Sequence, residues 1–294
     1  MTGARRAADP GVILVNVLVA LALGSALVVL MLTSQDNLLQ SARRAGALAQ
    51  AQALALGGEA TAIIALREDM QTGPEADHFA EPWAAVQQAE VELGTGRFSV
   101  AIRDAQAGLD LNGLVAGGLA QQQVLARLIA ALKLPPDTGA LITDAMMRGG
   151  SLQSIAGLTD LDAPTRAALA GHVSFLPAGG NVNLNTADAV VMAAVLQNRT
   201  APQRLAALRD RNGFVTAGDL SSMGLIAAAG AGFRSDVFDL TIMAQVDDVT
   251  VTLTSRLMRQ SGPGTQSVRV IARQFGPIMA MDAMPPIPPD ALLQ

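Results

Sequence analysis

The sequence predicts an α+β protein in which one long N-terminal helix packs on a small antiparallel sheet, and an all-helical domain is inserted into the sheet-containing domain. Three observations predict this fold. An uncharged apolar run near the N-terminus continues into helical spacing, alternating polarity occurs in two separate parts of the chain, and a block of helical periodicity lies between those parts. Strand signals on both sides of a helical block are typical of an inserted domain.

The apolar run from Gly11 to Leu32 is the first predicted element. It contains about 22 residues without a charge, enough at about 1.5 Å per residue to cross a hydrocarbon core of about 30 Å. Arg5 and Arg6 precede it, so the positive-inside rule predicts that everything after Leu32 lies outside the cytoplasm. A secretory signal peptide has a shorter apolar region, of about 7–15 residues. We therefore expect the run to be retained as a single-pass membrane anchor.

Helical spacing continues beyond the membrane segment. Apolar residues from Leu38 through Leu48 and Leu66 recur mostly at intervals of three and four, which predicts one helix from Val12 to about Met70 with an apolar stripe against the globular domain. The pair Gly57-Gly58 is a candidate bend.

Two regions predict β-strands. The first is Val91–Asn112, with a hairpin at Gly94-Thr95-Gly96 and Phe98, Val100 and Ile102 alternating toward one face. The second follows Asp236 and contains three alternating segments, which predict an antiparallel meander before a proline-rich tail. We place the sheet-containing domain at residues 71–112 and 237–294.

The inserted helical domain is predicted at residues 113–236. Its helical segments are separated by Gly, Pro and Asp and include 163–176 and a helix that begins at Ala187. We expect Thr186 to cap that helix, with Asp188 in its first turn, and Asn181, Asn183 and Asn185 to satisfy loop backbone groups.

Composition excludes several function classes. The net charge of −5 and the pI near 5.0 disfavour a nucleic-acid footprint, and the absence of cysteine excludes thiolate chemistry. The sequence contains no nucleophile elbow, phosphate loop or paired-histidine motif, so we expect no enzymatic activity. The adjacent carboxylates of Asp247 and Asp248 are candidate ligands for a hard cation, although solvated turn residues look the same in a sequence.

The N-terminus resembles a type IV prepilin leader, because the short charged stretch of residues 1–11 ends at Gly11 where the apolar run starts. This resemblance implies that a prepilin peptidase cleaves between Gly11 and Val12 and that Val12 becomes the N-methylated first residue. The fifth mature position is then Asn16, where most pilins carry a glutamate that pairs with a neighbouring subunit's amine. An uncharged amide cannot form that charge-assisted pair.

The whole chain resembles the K-type minor pseudopilins of type II secretion systems. The resemblance depends on the order of elements, on the leader and apolar helix, and on three motifs: Asp104-x-x-x-Gly108-x-Asp110-Leu-Asn112, Gly149-Gly150-Ser-Leu-x-x-Ile155 and Gly180-Asn-Val-Asn-Leu-Asn-Thr-Ala187.

This resemblance implies a pilin-like sheet and a non-enzymatic subunit that caps the tip of the secretion pseudopilus and helps to initiate its assembly. It also implies a location in the inner membrane of a Gram-negative bacterium, with the C-terminal domain in the periplasm. The implied partners are the I-type and J-type minor pseudopilins, the prepilin peptidase and secreted proteins, and the implied ligand is calcium.

One alternative remains open at this point. The Asn-Thr-Ala start also occurs in helix-hairpin-helix DNA-binding modules, which would make the chain a membrane-anchored DNA-uptake receptor. Such modules need a Gly-x-Gly hairpin that contacts phosphate, whereas residues 196–200 join the two helices here, and no lysine cluster follows.

Overall fold

The computed structural model describes residues 10–72, 76–94, 96–114, 118–198, 200–225, 230–262 and 265–276 of the chain. The described residues form α-helices, β-strands and three short 3₁₀ segments. The helices are α1 (Pro10–Thr72), α2 (Pro82–Ala85), α3 (Gly118–Ala131), α4 (Thr138–Gly149), α5 (Ala163–Ala170), α6 (Ala189–Leu196), α7 (Ala201–Asn212) and α8 (Ala217–Ser222). The strands are β1 (Gln88–Leu93), β2 (Gly96–Asp104), β3 (Leu109–Asp110), β4 (Val173–Ser174), β5 (Val182–Asn183), β6 (Ala231–Gly232), β7 (Val237–Val246), β8 (Val249–Gly262) and β9 (Thr265–Phe275).

The main sheet has five antiparallel strands in the order β1-β2-β7-β8-β9. Both predicted strand regions contribute to it, and β1 and β2 pair in antiparallel as the predicted hairpin requires, with Leu93 opposite Gly96. Val100 and Ile102 are buried on one face, and Phe98 packs beside them. Trp83 and Phe238, which are both fully buried, fill the same core, their ring centroids 5.0 Å apart.

The long helix α1 lies on this face of the sheet. It runs without interruption through Gly57 and Gly58 and ends at Thr72, close to the predicted end. The residues that it buries are mostly small, and they recur at helical spacing: Ala47, Ala51, Ala55, Gly58, Glu59, Ala62, Leu66 and Asp69.

The predicted apolar stripe is therefore wrong in its N-terminal part. Leu38 and Leu48 are 69% and 42% exposed. The physical reason is that alanine and glycine side chains let the helix approach the sheet closely, while larger residues on neighbouring faces stay outside. Glu59 fixes the contact, because its carboxylate pairs with Arg273 on β9 and accepts a hydrogen bond from Ser255 on β8.

The inserted part contains helices α3 to α8, and its apolar residues form a second core. Two predictions for it are wrong. The predicted helix over 163–176 ends at Ala170, because Val173 and Ser174 pair in parallel with Leu109 and Asp110. The helix expected from Ala187 begins at Ala189, because Asp188 rather than Thr186 caps it.

Apolar residues thus form two large clusters, one between α1 and the sheet and one within the inserted helices. A small third cluster, of Ala105, Leu176 and Val237, lies where the chain passes between the sheet and the inserted helices. The predicted α+β architecture is confirmed, while the domain bounds assigned from the sequence stay a prediction.

Candidate functional site

The N-terminal part of α1 is not buried by the rest of the described chain. Every residue from Leu14 to Gly46 is exposed, and Ala47 is the first buried residue of the helix. Among the described residues, α1 is the one helix long and apolar enough to cross a membrane, with a mean hydropathy of 2.6 in its apolar segment. Asn16 is exposed in this segment, between Val15 and Val17.

The predicted processing site lies at the start of this helix. Gly11 and Val12 belong to the first turn of α1, while the side chain of Val12 and residues 1–9 of the leader lie outside the described part of the chain. Cleavage after Gly11 and methylation of Val12 therefore stay predictions.

The junction between the sheet and the inserted helices is centred on the buried carboxylate of Asp104, at the end of β2. Its Oδ2 accepts hydrogen bonds from Asn183 Nδ2 at 3.0 Å, Thr186 Oγ1 at 2.5 Å and Ser235 Oγ at 2.6 Å. Its Oδ1 accepts one from the Gln106 amide at 2.7 Å. Burial raises the pKa of Asp104, and these four donors oppose that rise.

The run Gly180–Ala187 supplies two of those donors and also fastens its own loop. Asn183 Oδ1 accepts the Asn185 amide at 2.9 Å. The Asn185 side chain donates to the Val215 carbonyl at 3.1 Å and accepts the Val215 amide at 2.8 Å. The prediction that Asn183 and Asn185 satisfy loop backbone groups is confirmed. Thr186 has a different role from the one predicted, because its hydroxyl binds Asp104.

The other two motifs meet at the same end of the sheet. Asp110 Oδ1 accepts the Leu176 amide at 2.9 Å, and Oδ2 accepts the Gly113 amide at 3.0 Å. Asn112 binds the backbone of Leu152, a residue of the second motif. Its Nδ2 donates to the Leu152 carbonyl at 2.8 Å, and its Oδ1 accepts the Leu152 amide at 2.9 Å. All three motifs therefore hold loop backbone in place and bring no reactive group together.

A second buried polar cluster lies where α1 ends. Arg259 of β8 pairs with Asp69 of α1 through Nη2 and with Asp77 of the following loop through Nη1. The guanidinium also lies over the Phe238 ring, 4.6 Å from its centroid. The second oxygen of Asp77 accepts the Ser235 amide at 2.6 Å, which connects this cluster to the junction.

Glu81 completes the acidic cluster, which we define as Asp69, Asp77 and Glu81. Its Oε2 accepts hydrogen bonds from the His78 amide at 2.8 Å and from Trp83 Nε1 at 2.9 Å. Burial raises the pKa of Glu81 to about 7 and also raises that of Asp69. Burial lowers the pKa of His78, whose ring stacks on Phe214 at 4.7 Å.

One oxygen from each of the three acids lies within 4.8 Å of the others, so the acidic cluster could bind a metal ion. Sequence reasoning missed this cluster. Its members are separated along the chain, and the only local signal is that Asp77 and Glu81 flank the turn that follows the long helix.

The acids predicted as metal ligands lie elsewhere. Asp247 and Asp248 form the exposed turn between β7 and β8, and Asp248 Oδ2 is 3.8 Å from Arg44 Nε. Within the described ranges, the acidic cluster is the one group of three metal-ligating side chains at suitable spacing. A cation at Asp247 and Asp248 stays a prediction.

Comparison with known proteins gives a family match over part of the chain and a fold over most of it. The model of the family "Type II secretion system (T2SS), protein K" matches residues 182–241. A chain in the crystal structure of the GspK-GspI-GspJ complex from the type 2 secretion system of enterotoxigenic Escherichia coli is 21% identical, with a TM-score of 0.60. The alignment covers 80% of this chain and 99% of that chain, and at this identity it shows the shared fold. No curated protein sequence matches significantly.

The matched segment contains the Asn183 to Ala187 run, helices α6 to α8 and the first half of β7. It thus spans the side of the junction that faces Asp104. The resemblance predicted from the sequence is confirmed: residues 182–241 are similar to protein K of type II secretion systems, and the chain has the fold of a chain from a GspK-GspI-GspJ complex.

Proposed function

We propose that the chain is a K-type minor pseudopilin, a structural subunit rather than an enzyme, that caps the tip of the type II secretion pseudopilus and helps to initiate its assembly. The observation that carries the proposal is the arrangement of a bare apolar helix at one end and a large insert at the other. The match to protein K supports the same conclusion.

The sheet has a membrane-proximal and a membrane-distal end. The β7–β8 turn contacts Arg44, near the bare part of α1, and so marks the proximal end. Asp69, near the C-terminal end of α1, pairs with Arg259. Arg259 lies beside the start of β7, since its amide donates to the Asp236 carbonyl at 2.7 Å. The inserted helices leave the sheet at Asp104 and return at Val237, which are both at this distal end.

This position favours a terminal subunit. An insert at the distal end adds bulk where the next subunit of a filament would have to stack. Asn16 supports the same position, because it lacks the carboxylate with which a pilin subunit joins the amine of a neighbour.

The exposed apolar part of α1 needs an apolar environment, which the inner membrane supplies before assembly. We propose a single-pass inner-membrane location in a Gram-negative cell, with the remainder of the chain in the periplasm. A prepilin peptidase that cleaves between Gly11 and Val12 would produce the mature N-terminus. The I-type and J-type pseudopilins are the proposed partners, by likeness to the GspK-GspI-GspJ complex. Secreted proteins are further proposed partners, and calcium a proposed ligand, by the family resemblance.

The tip position can be tested by labelling, because the chain contains no cysteine. Met147 lies on α4 and is 71% exposed, so a Met147→Cys variant accepts a gold-conjugated maleimide without competing thiols. We expect label at one end of each pseudopilus by electron microscopy. The unsubstituted chain is the control for background labelling. Label along the filament length would overturn the tip assignment.

Processing is tested separately by mass spectrometry of the chain from cells with and without prepilin peptidase. We expect a methylated N-terminus at Val12 only where the peptidase is present. An intact leader in both strains would contradict the pseudopilin proposal. We also expect no salt-sensitive shift of duplex DNA, which a DNA-uptake receptor would give.

A further inference from the structure

A groove lies between the inserted part of the chain and the edge of the main sheet. Its volume is about 510 Å³, within the range of about 300–1,000 Å³ that is typical of ligand pockets. Strands β8 and β9 form one wall, and the segments that follow α4 and β4 form the other. We call it the β9 groove. Its apolar lining residues are Leu152, Ala156, Phe175, Pro177, Ile271 and Ala272.

Two polar side chains hold the walls of the β9 groove in place. Asn112 Nδ2 donates to the carbonyls of Leu152 and Leu176, at 2.8 Å and 3.0 Å. Arg256 of β8 donates through Nη1 to the Phe175 carbonyl at 2.7 Å, which ties the second wall to the sheet. Because hydrogen bonds within the chain fix both walls, the groove is preformed, and an occupant does not have to order it.

A β-bulge in the edge strand brings an apolar side chain to the groove. Arg256 of β8 lies opposite Ala272 of β9. The next residue of β8, Leu257, lies opposite Val270. Ile271 is therefore the extra residue of a bulge, which is a device that redirects a side chain at a sheet edge. Its side chain lines the groove and is 38% exposed, so an occupant that covers it gains hydrophobic burial.

The chain continues past the groove. Residues 277–294 follow β9 and lie outside the described ranges. They start at Gly276, four residues after Ala272, which is about 13 Å along a strand that rises about 3.3 Å per residue. Residues 277–284 can span up to about 26–29 Å. The residues that follow them can therefore turn back and reach the groove.

Residues 284–290 match the β9 groove in chemistry, because their sequence is Met-Pro-Pro-Ile-Pro-Pro-Asp. Repeated prolines favour polyproline II, which has three residues per turn, so Met284 and Ile287 lie on one face of the segment. Proline has no N–H, so the segment offers mainly carbonyl acceptors. The groove supplies the hydroxyl donors of Ser151 and Ser154 beside its apolar floor. Apolar grooves with aromatic residues bind such segments, since a preformed polyproline II helix loses little entropy.

We propose that residues 284–290 bind in the β9 groove of the same chain as a polyproline II segment. Met284 and Ile287 cover Ile271 and the apolar floor, and carbonyls of the segment accept hydrogen bonds from the serine hydroxyls. The bound segment adds a contact between the sheet and the inserted part. It also covers part of an edge strand that is otherwise open to pairing with another chain. The inference does not depend on the proposed function.

The experiment measures disulfide cross-linking in the full chain in detergent micelles, which is possible because the sequence contains no cysteine. Ile287→Cys is combined with Ser154→Cys in the groove or, as a matched control, with Gln52→Cys. Both partner positions are half-buried. Gln52 and Gly276 line the same surface depression, so a segment that does not dock would meet Gln52 at least as often as Ser154.

We expect the pair with Ser154→Cys to form a disulfide within one chain at least about tenfold faster than the control pair, because docking raises the effective concentration of the two thiols. Mass spectrometry after mild oxidation measures both rates. Equal rates, or faster cross-linking to Gln52→Cys, would overturn the proposal. Disulfides formed only between chains would also overturn it, since the occupant would then come from a second copy.

A further substitution in the groove pair tests the apolar contact. Ile271→Asp places a charge where the segment buries Ile271, and we expect it to slow cross-linking by about tenfold, comparable to the loss of one or two buried methylene groups. Met243→Asp is its control, because Met243 is a similarly exposed apolar residue of β7, at 44%, outside the groove. It should leave the rate unchanged. An unchanged rate in Ile271→Asp would refute the assigned contact.

A second measurement requires no cysteine and no substitution in the groove. Hydrogen exchange of the amides of residues 151–156 is compared between the full chain and a chain shortened after Gly276. We expect these amides to exchange more slowly in the full chain, because the bound segment covers this wall of the groove. The same exchange rates in the two chains would contradict docking.

Discussion

Asp104 is the residue at which the three segments that join the sheet to the inserted helices meet. Its carboxylate is 1% exposed and is bound by groups from β5, from the loop after it and from the loop before β7. Each donor belongs to a segment that would otherwise leave a polar group buried without a partner. One carboxylate therefore accepts hydrogen bonds from buried polar groups of several segments at once.

Substitution of this acid should destabilise the whole junction. Asp104→Asn places an amide N–H₂ against hydroxyl and amide donors, so we expect a loss of about 2–3 kcal/mol in the free energy of unfolding, measured by urea denaturation. Asp160→Asn is the control, because Asp160 forms an exposed pair with Arg148 and should change stability by less than about 1 kcal/mol. Equal losses in the two variants would contradict the assigned role.

The carboxylate of Asp188 is expected to make the stability of the protein depend on pH, through its contacts at the start of α6. Its Oδ1 accepts the Val190 and Val191 amides at 2.7 Å and 2.9 Å, and its Oδ2 is 2.6 Å from His172 Nδ1. Burial alone would raise the pKa of Asp188, but these hydrogen bonds lower it below its ordinary value. A lowered pKa stabilises the fold above the pKa of the unfolded chain, near 3.9, and this stabilisation is lost as the pH falls through the folded-state pKa.

The comparison with Asp188→Asn isolates this effect, because asparagine caps a helix well but does not titrate. We expect the unsubstituted protein to be more stable than the variant by about 0.5–1 kcal/mol near pH 5. The difference should shrink toward pH 3, as followed by chemical denaturation. A difference that does not change with pH would show that the carboxylate charge contributes nothing.

Residue-level roles were only partly predictable. Asn183 and Asn185 of the 180–187 run were assigned correctly, because short amide side chains have few roles in a loop. The capping role was assigned to Thr186 instead of Asp188, since both residues are good caps and only the position of Asp104, 82 residues from Thr186 in the chain, decides between them. The acidic cluster was missed because Arg259, which pairs with Asp77 and Asp69, lies 182 and 190 residues from them in the chain.

At the scale of elements, the contact between α1 and the sheet depends on small residues. Ala51, Ala55 and Ala62 are fully buried there, and Gly58 faces Ile242 of β7. A Cβ atom at Gly58 would lie 3.1 Å from Ile242 Cδ1, whereas one at the adjacent Gly57 would meet no atom within 4 Å.

These neighbouring glycines form a matched pair for mutation. Gly58→Leu inserts bulk into a packed interface, so we expect it to destabilise the protein by about 1–3 kcal/mol. Gly57→Leu points away from the sheet and removes a flexible residue from a helix, so we expect it to be neutral or slightly stabilising. Thermal unfolding of the two variants in detergent measures the difference. Similar Tm values would contradict the close approach of α1.

Strand prediction succeeded for long elements and failed for short ones. The alternation in β2, β7 and β8 extends over nine or more residues and gives one buried face. Strands β4 and β5 contain two residues each, which is too few for a period to appear. Their pairing joins positions about 50 to 64 residues apart, which local sequence does not encode.

At the scale of the whole molecule, the two large hydrophobic clusters are separated by hydrogen-bonded polar side chains. We therefore expect native-state hydrogen exchange to resolve two cooperative groups of amides, one in β7, β8 and the packed part of α1, the other in α3 and α6. Asp104→Asn should lower protection in both groups, since both end at the junction. A single exchange free energy over all these elements would contradict this division.

The order of elements was enough to predict an insert within a sheet, because strand and helix periodicities are strong over long segments. The orientation of the insert was not predictable, since it follows from contacts such as those of Arg44 with Asp248 and of Arg259 with Asp69, at opposite ends of the part of α1 that packs on the sheet.

The bare part of α1 also has a mechanical consequence. Thirty-three residues from Leu14 to Gly46 precede the first packed residue, a length of about 50 Å, of which about 30 Å would cross a bilayer core in the proposed membrane location. The remaining 20 Å or so would connect the lipid surface to the folded part of the chain. A tilt of about 20°, ordinary for a spanning helix, swings the far end of the bare helix sideways by about 17 Å. A membrane-anchored molecule would thus reach neighbours over a wide area before contact with one of them fixes the tilt of its helix.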